Sequence, residues 1–288
     1  MRLVLLCVLV GPIVAHADSP DDALVARLAA SAVRGEPVVV QTHVALCDNS
    51  VLRCGGHGLG DGDSLRTNLY WATSEGLRGW LAESGGPWKF VAERPGGRPE
   101  RLTISIWRRS VVPSPRWRAL GVVRPFEVYL VIDVWRGSAI DAGVAAWVLD
   151  LQRDTARTVE VDGLVLQAGG AAPIVAYVGH NRWMDDASVG WRDAPERSGA
   201  TKGVVAIACY SKPYLKARLA RAGHVALVLT NDFVMASGAA LVGGLDALFE
   251  GRDLAGVRRQ AAVDYARAGK KDADRVAGVF VNAAAKSW

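Results

Sequence analysis

The chain has little of what marks a membrane protein, a nucleic-acid-binding protein or a repeat protein. No segment beyond the amino terminus has the unbroken apolar run of about 20 residues that a membrane-spanning helix needs, so no stable membrane span is expected. Basic residues are scattered, as in Arg108-Arg109 and Lys270-Lys271, and the net charge of +5 is not gathered into the stripe that marks a nucleic-acid partner. Half of the residues, 50%, are hydrophobic, which is enough for a sizeable core.

Signatures of cofactors and metals are also missing. Residues 55–62 are rich in glycine, but they lack the Lys-Ser/Thr ending of a phosphate loop and the full dinucleotide fingerprint. This disfavours a flavodoxin-like nucleotide binder. Cys47, Cys54 and His57 lie close in sequence without the paired spacing and the fourth ligand of a zinc site. We therefore expect no metal and no cofactor.

The amino terminus has the pattern of a secretory signal peptide. Residues 1–17 combine a basic start at Arg2, an apolar stretch over residues 3–14 and a small-x-small cleavage site at residues 15–17. The remaining residues, 18–288, have the length of one large domain. The pattern predicts a secreted, periplasmic or cell-envelope protein.

Cysteine is scarce, and its distribution is informative. Of the four cysteines, Cys7 lies inside the predicted signal peptide. In an oxidising compartment, Cys47 and Cys54 are close enough in sequence to form a disulfide. Cys209 is then left as an odd thiol, which indicates a reactive group. The alternative is that Cys209 is only a small buried apolar residue.

Two apolar runs each end in a chemically capable side chain. Residues 172–179 lead into His180, and residues 202–208 lead into Cys209. Short, continuous apolar runs are typical of parallel strands buried on both faces. In an open α/β sheet, ligands gather at the carboxyl ends of the strands. We therefore expect the imidazole and the thiol to be neighbours, as a nucleophile and its base must be.

Strands and helices alternate along the chain with short connections. This predicts an α/β fold, a three-layer sandwich with a mainly parallel central sheet and a small β-hairpin insertion. The predicted strands cover residues 37–46, 127–135, 172–179, 202–208 and 224–230, with hairpins at residues 88–112 and 158–166. The predicted helices cover residues 22–33, 68–82, 139–151, 213–222 and 236–268, the last with a break near Gly251.

The predicted helix that begins near Pro213 bears on the chemistry of Cys209. Amides at a helix amino terminus favour anions, so they would stabilise a thiolate and donate to an oxyanion beside the sulfur. His180 would act as the base or form an ion pair with the thiolate. Asp185 and Asp186 follow closely and would orient the imidazole, unless they serve only to solvate a polar loop.

This arrangement resembles the caspase-like cysteine peptidases, which include caspases, gingipains, clostripain, legumain and the CHAT domains. In that clan an apolar block ends in His-Gly, and a later apolar block ends in the catalytic Cys. Residues 175–180 and 205–211 follow this pattern, and the resemblance covers residues 127–249. It implies a caspase-like domain over residues 18–288, with Cys209 as nucleophile, His180 as base and a peptide or protein as substrate.

Two further residues are candidates for substrate binding. Asn181 follows His180 where the clan usually has Gly, and Asn is among the residues that tolerate left-handed backbone geometry. This departure is compatible with an altered specificity or with an inactive protein. Asp48, just after the first predicted strand, would receive a basic side chain, or it would serve as a turn residue.

Two alternatives accompany this interpretation. His57-Gly58 also spells His-Gly, but no apolar strand precedes it. The second alternative keeps the fold and changes the function, to a catalytically inactive binding or interaction module of the cell envelope in which Cys209 is inert.

Overall fold

A computed structural model describes residues 19–83, 85–192, 194, 197 and 199–280. The predicted signal peptide over residues 1–17, with Cys7, lies outside the described residues. Within the described part of the chain, none of the helices combines the length and the apolar character that crossing a membrane requires.

Nine strands and eight α-helices follow one another along the described residues. The strands are β1 (Val38–Ala45), β2 (Lys89–Arg98), β3 (Arg101–Val111), β4 (Phe126–Trp135), β5 (Ala156–Val161), β6 (Leu164–Gly169), β7 (Ile174–Val178), β8 (Gly203–Ile207) and β9 (Val225–Leu229). The helices are α1 (Pro20–Val33), α2 (Leu77–Glu83), α3 (Pro115–Ala119), α4 (Ile140–Gln152), α5 (Ser211–Arg221), α6 (Ala239–Phe249), α7 (Leu254–Ala268) and α8 (Ala273–Phe280).

Seven of the strands form one mixed sheet in the order β2-β3-β4-β1-β7-β8-β9. Five neighbouring strands of this sheet run parallel to one another, namely β4, β1, β7, β8 and β9. β2 and β3 form an antiparallel hairpin that pairs with β4 at one side of them. β5 and β6 pair separately as a second hairpin. The prediction of an α/β fold with a mainly parallel central sheet and a hairpin insertion is confirmed.

Both faces of the central strands are covered, because β1, β7 and β8 are buried along their whole length. On one face, Val178 and Ile207 pack in the same cluster as Leu245 of α6. On the other, Val175 packs with Val144 of α4. Runs rich in valine, as in β1 and β8, suit such strands because branched side chains pack well on a pleated surface. The arrangement is consistent with a three-layer sandwich.

The predicted helix over residues 68–82 is correct only in its second half, since α2 begins at Leu77. The reason is Asn68, which is fully buried. Its amide donates to the carbonyl oxygens of Cys47, at 2.7 Å, and Asp61, at 2.8 Å, and its Oδ1 accepts the amide of Cys47 at 3.1 Å. A side chain that bonds distant backbone in this way competes with helix formation. Residues 68–76 therefore form an irregular segment tied to the end of β1.

The helical tail is divided differently from the prediction. α6 and α7 are separated by residues 250–253, close to the predicted break at Gly251. Asp253 begins α7, because its carboxylate accepts the amide of Gly256 at 2.7 Å as an amino-terminal cap. The third helix, α8, was not predicted. It is only eight residues long, and its place is set by a contact in which the amide of Asn231 donates to Val279 O at 2.7 Å.

One buried imidazole makes the stability of this fold dependent on pH. His224 lies directly before β9, and its Nδ1 accepts the backbone amide of Lys202 at 3.3 Å. Burial, aided by the nearby charges of Arg197 and Lys202, lowers the pKa of His224 from 6.5 to about 4. As the pH falls, the unfolded chain therefore takes up a proton at this residue before the folded protein does.

We predict that the free energy of unfolding decreases between the unfolded pKa of His224, 6.5, and its folded pKa of about 4. The contribution of this residue is on the order of 3 kcal/mol. In His224→Gln the decrease should be smaller by that amount, as measured by urea denaturation across this pH range. His57→Asn, which replaces an exposed imidazole, is the matched control. Parallel curves for the native protein and His224→Gln would contradict the prediction.

Candidate active site

The residues predicted to carry the chemistry follow two adjacent strands. β7 and β8 pair in parallel, with Val178 opposite Ile207. His180 comes two residues after Val178, and Cys209 comes two residues after Ile207. Both therefore leave the sheet at its carboxyl edge, as predicted, and their catalytic roles stay predictions.

The sulfur of Cys209 contacts the loop that follows β9. Cys209 is a free, partly exposed thiol. Its Sγ accepts the backbone amide of Val234 at 3.4 Å and lies 3.7 Å from the carbonyl oxygen of the same residue, toward which the thiol donates. The loop itself is held in place, since the amide of Met235 donates to the hydroxyl of Tyr265 at 2.8 Å. The sequence contained no signal for Val234.

Three tyrosine hydroxyls lie within electrostatic range of this sulfur. Burial, followed by the proximity of Cys209, raises the pKa of Tyr70 well above its ordinary value. The pKa of Tyr265 is raised in the same direction, mainly by burial. For Tyr210, a hydrogen bond to Asp232 is the main cause of a raised pKa. All three hydroxyls therefore keep their protons. Tyr210 gives its proton to Asp232, whereas Tyr70 and Tyr265 can donate near the thiol.

The imidazole of His180 is oriented by a carboxylate. Nε2 lies 2.8 Å from Oδ2 of Asp185, which also accepts Nη1 of Arg182 at 2.8 Å. Arg182 is in turn fixed by Asp141, which accepts its Nε at 2.7 Å. Partial burial opposes ionisation of Asp185, but the hydrogen bonds from His180 and Arg182 outweigh it and lower the pKa. Asp185 is thus an ionised partner of Nε2, and Nδ1 makes no hydrogen bond to the described residues, Sγ of Cys209 included.

The other acidic candidate in this loop has a different role. Asp186 accepts the amide and the hydroxyl of Ser188, at 2.8 and 2.7 Å, and a guanidinium nitrogen of Arg192 at 3.2 Å. These contacts close a local turn. Of the two acids that the sequence offered as orienting groups, only Asp185 bonds to His180.

Asn181 ties the ends of the two strands together. Its side chain is fully buried, its Nδ2 donates to the carbonyl oxygen of Cys209, and its Oδ1 accepts the amide of Trp183 at 3.0 Å. Its φ is −80°, so the left-handed geometry considered for this position is wrong. Both polar groups are used inside the protein, and the predicted contact with a substrate stays a prediction.

The prediction that amides of the next helix serve the sulfur or an oxyanion is wrong. α5 begins at Ser211 rather than near Pro213, after Tyr210 in a left-handed conformation with φ 50°. The amides of Tyr210, Ser211 and Lys212 donate, each at 3.0 Å, to Asp232 O, Thr230 Oγ1 and Thr230 O respectively. These three amides are already hydrogen-bonded because the end of β9 lies directly beside them. The amide that donates to the sulfur comes instead from the loop after β9.

The predicted disulfide between Cys47 and Cys54 is confirmed, with the two Cα atoms 6.1 Å apart. It closes the loop that follows β1. In that loop the carboxylate of Asp48 accepts the amide and the hydroxyl of Ser50, at 2.8 and 2.7 Å. Asp48 thus has the turn role that the sequence left open, and its contact with a substrate stays a prediction. His57, the alternative catalytic histidine, is exposed in the glycine-rich segment.

Among the described residues, no group of three or more His, Cys, Asp or Glu side chains is arranged to hold a metal ion. No protein-family model, curated protein or solved structure matches the chain.

We predict that Asn181→Ala lowers the free energy of unfolding by about 2 kcal/mol, because it leaves two buried backbone groups without partners. The measurement is urea denaturation of both proteins. The matched control is Asn231→Ala, which removes one solvent-accessible hydrogen bond, from Nδ2 to Gly278 O at 3.2 Å. That change should cost less than about 0.5 kcal/mol. Equal effects of the two substitutions would show that Asn181 does not hold the strand ends together.

Proposed function

We propose that the protein is an exported, caspase-like cysteine peptidase or amidase that uses Cys209 as nucleophile and His180 as base. One observation carries this proposal. A free thiol and a carboxylate-paired imidazole follow two adjacent parallel strands at the same edge of the sheet. Export is supported by the signal-peptide pattern of residues 1–17.

The topology of the sheet supports a ligand site at this edge. β1 lies inside the parallel part of the sheet, with β4 on one side and β7, β8 and β9 on the other. The chain thus passes from β1 to its neighbour β4 on one side, and later adds β7, β8 and β9 on the other side. Ligands in open α/β sheets bind at the carboxyl ends of the strands near the point where the strand order changes direction in this way. β7, which positions His180, is the neighbour of β1 on that side.

The proposed reaction is acyl transfer through the thiol. Nδ1 of His180 takes the proton of Cys209, and the sulfur attacks the carbonyl carbon of the substrate to form a carbon–sulfur bond. The carbon–nitrogen bond then breaks, and the amine leaves with the proton from His180. Water, activated by the same imidazole, hydrolyses the thioester and restores the thiol. The ionised Asp185 stabilises the imidazolium that forms in both halves.

Two groups near the sulfur suit this chemistry. The amide of Val234 donates to Sγ and can keep this hydrogen bond after the thiol has lost its proton. The protonated hydroxyl of Tyr70 is the candidate donor to the oxyanion, since the amides at the start of α5 are already bonded.

A second candidate function is a non-enzymatic binding module, and two observations favour it. The thiol of Cys209 donates to the carbonyl oxygen of Val234, as expected of an inert thiol. Phe233, the preceding residue, is 66% exposed and packs edge-on against Tyr210, with ring centroids 4.9 Å apart. An aromatic pair with one exposed ring offers a contact surface to a partner protein.

Alkylation kinetics separate these two functions. We predict that iodoacetamide modifies Cys209 near neutral pH and that His180→Ala slows this reaction at least about tenfold, because the imidazole favours the thiolate. Asp185→Asn should slow it less, and His57→Asn should leave it unchanged. The rates are measured by mass spectrometry of the peptide that contains Cys209. An unchanged alkylation rate in His180→Ala would contradict the peptidase and favour the non-enzymatic binding module.

Cleavage of a peptide library tests the activity itself. The native protein should cut a subset of peptides, and Cys209→Ala should cut none, because the nucleophile is absent. Cleavage that persists in Cys209→Ala would assign the activity to another group or to a contaminant.

A further inference from the structure

A cavity of about 300 Å³ lies on the face of the sheet that α4 and the β5–β6 hairpin cover, and it shares no residue with the candidate active site. Its wall is rich in charge. The charged side chains that line it are four arginines and two aspartates, Arg98, Arg101, Arg153, Arg157, Asp133 and Asp150. Positive charge is therefore in excess by two.

A buried carboxylate organises two of these arginines. Asp133 of β4 is 2% exposed. It accepts Nη1 of Arg101 at 2.9 Å, and both of its oxygens accept Nη2 of Arg157, at 2.7 and 2.9 Å. Buried ion groups of this kind seldom stabilise a fold more than apolar side chains of the same volume do. Their effect here is to hold two guanidinium groups from different strands at one cavity.

The guanidinium groups retain donors for a ligand. Within the described residues, the hydrogen bonds of Arg157 all come from Nη2, and those of Arg101 come from Nε and Nη1. A guanidinium carries five N–H donors, so each group has some to spare. Arg98 lies with its guanidinium carbon 4.4 Å from the ring centroid of Trp135, a stacking contact that leaves the edge of the group available.

The polar side chains at the floor of the cavity are already hydrogen-bonded to one another. The indole of Trp135 donates to Nδ1 of His43 at 3.2 Å, and Nε2 of His43 lies 2.9 Å from Oδ2 of Asp150. An indole N–H can only donate, so Nδ1 is the acceptor and Nε2 gives its proton to Asp150. His43 is thus a core residue that supports the wall and does not face a ligand.

We propose that this cavity binds a small dicarboxylate, with Arg98, Arg101 and Arg157 as the binding residues. The planar fork of a guanidinium matches a carboxylate in a bidentate manner. Two carboxylates match the excess of two positive charges. The volume lies at the lower end of the range for small-molecule sites, and Leu149, which is 49% exposed, adds an apolar wall for a short carbon chain.

Calorimetric titration at constant ionic strength tests this proposal, with succinate, acetate and inorganic phosphate as probes. Succinate should bind more tightly than acetate or phosphate. Arg98→Gln should weaken succinate binding at least about tenfold, because a charge-assisted pair is lost. Arg98 is chosen because it is exposed and lies outside the buried Asp133 group, so its substitution, which removes only the stacking contact with Trp135, should change the melting temperature by no more than about 4 °C.

Two further variants sharpen the result. Arg98→Lys keeps the charge and loses the fork, so succinate binding should fall between those of the native protein and Arg98→Gln. Arg124→Gln removes an exposed arginine outside the cavity and should leave binding unchanged. The proposal is overturned by a native protein that does not bind succinate. Equal binding of phosphate and succinate, or equal losses in Arg98→Gln and Arg124→Gln, would also overturn it.

Discussion

The parallel pairing of β7 with β8 is the constraint on which the rest of the structure depends. Each strand is five residues long and buried throughout, so helices must cover both faces of the sheet. Because the strands run in the same direction and in register, their following residues leave at one edge. Asn181, which follows β7, links the two strand ends because its side chain donates a hydrogen bond to the carbonyl oxygen of Cys209. The candidate site is a consequence of this pairing.

The cost of burying charge explains where the polar groups of the interior lie and which of them are open to a ligand. Lys202 is fully buried, and its Nζ bonds to the carbonyl oxygens of Asp150 and Arg153, each at 2.5 Å, and lies 3.2 Å from Asp154. A lysine has three donors, so this side chain is saturated and closes the end of α4. The arginines around Asp133 differ in this respect. Their shared carboxylate neutralises only part of their charge, and N–H groups are left over.

The hydrogen bonds of the Cys209 thiol have both a structural role and a bearing on the proposed reaction. The thiol donates to the carbonyl oxygen of Val234, and the sulfur accepts the amide of the same residue. In the proposed reaction the first contact is lost when the proton moves to His180, and the second is kept. The loop after β9 is anchored to α7 through Tyr265, which holds this amide beside the sulfur.

The sequence alone determined the class of the fold, the disulfide and the two strand ends that carry His180 and Cys209. These follow from local patterns, since buried parallel strands need continuous apolar runs and two cysteines seven residues apart need only a short loop. Side-chain partners at long range are not local, and only the tertiary structure decided them. Asn68 interrupts a predicted helix because its side chain bonds to Cys47. The amides at the start of α5 are bonded to the end of β9. The amide that donates to the sulfur of Cys209 belongs to Val234, which is 25 residues away in sequence. The cavity around Asp133 belongs to the same group, because strands distant in sequence bring its arginines together.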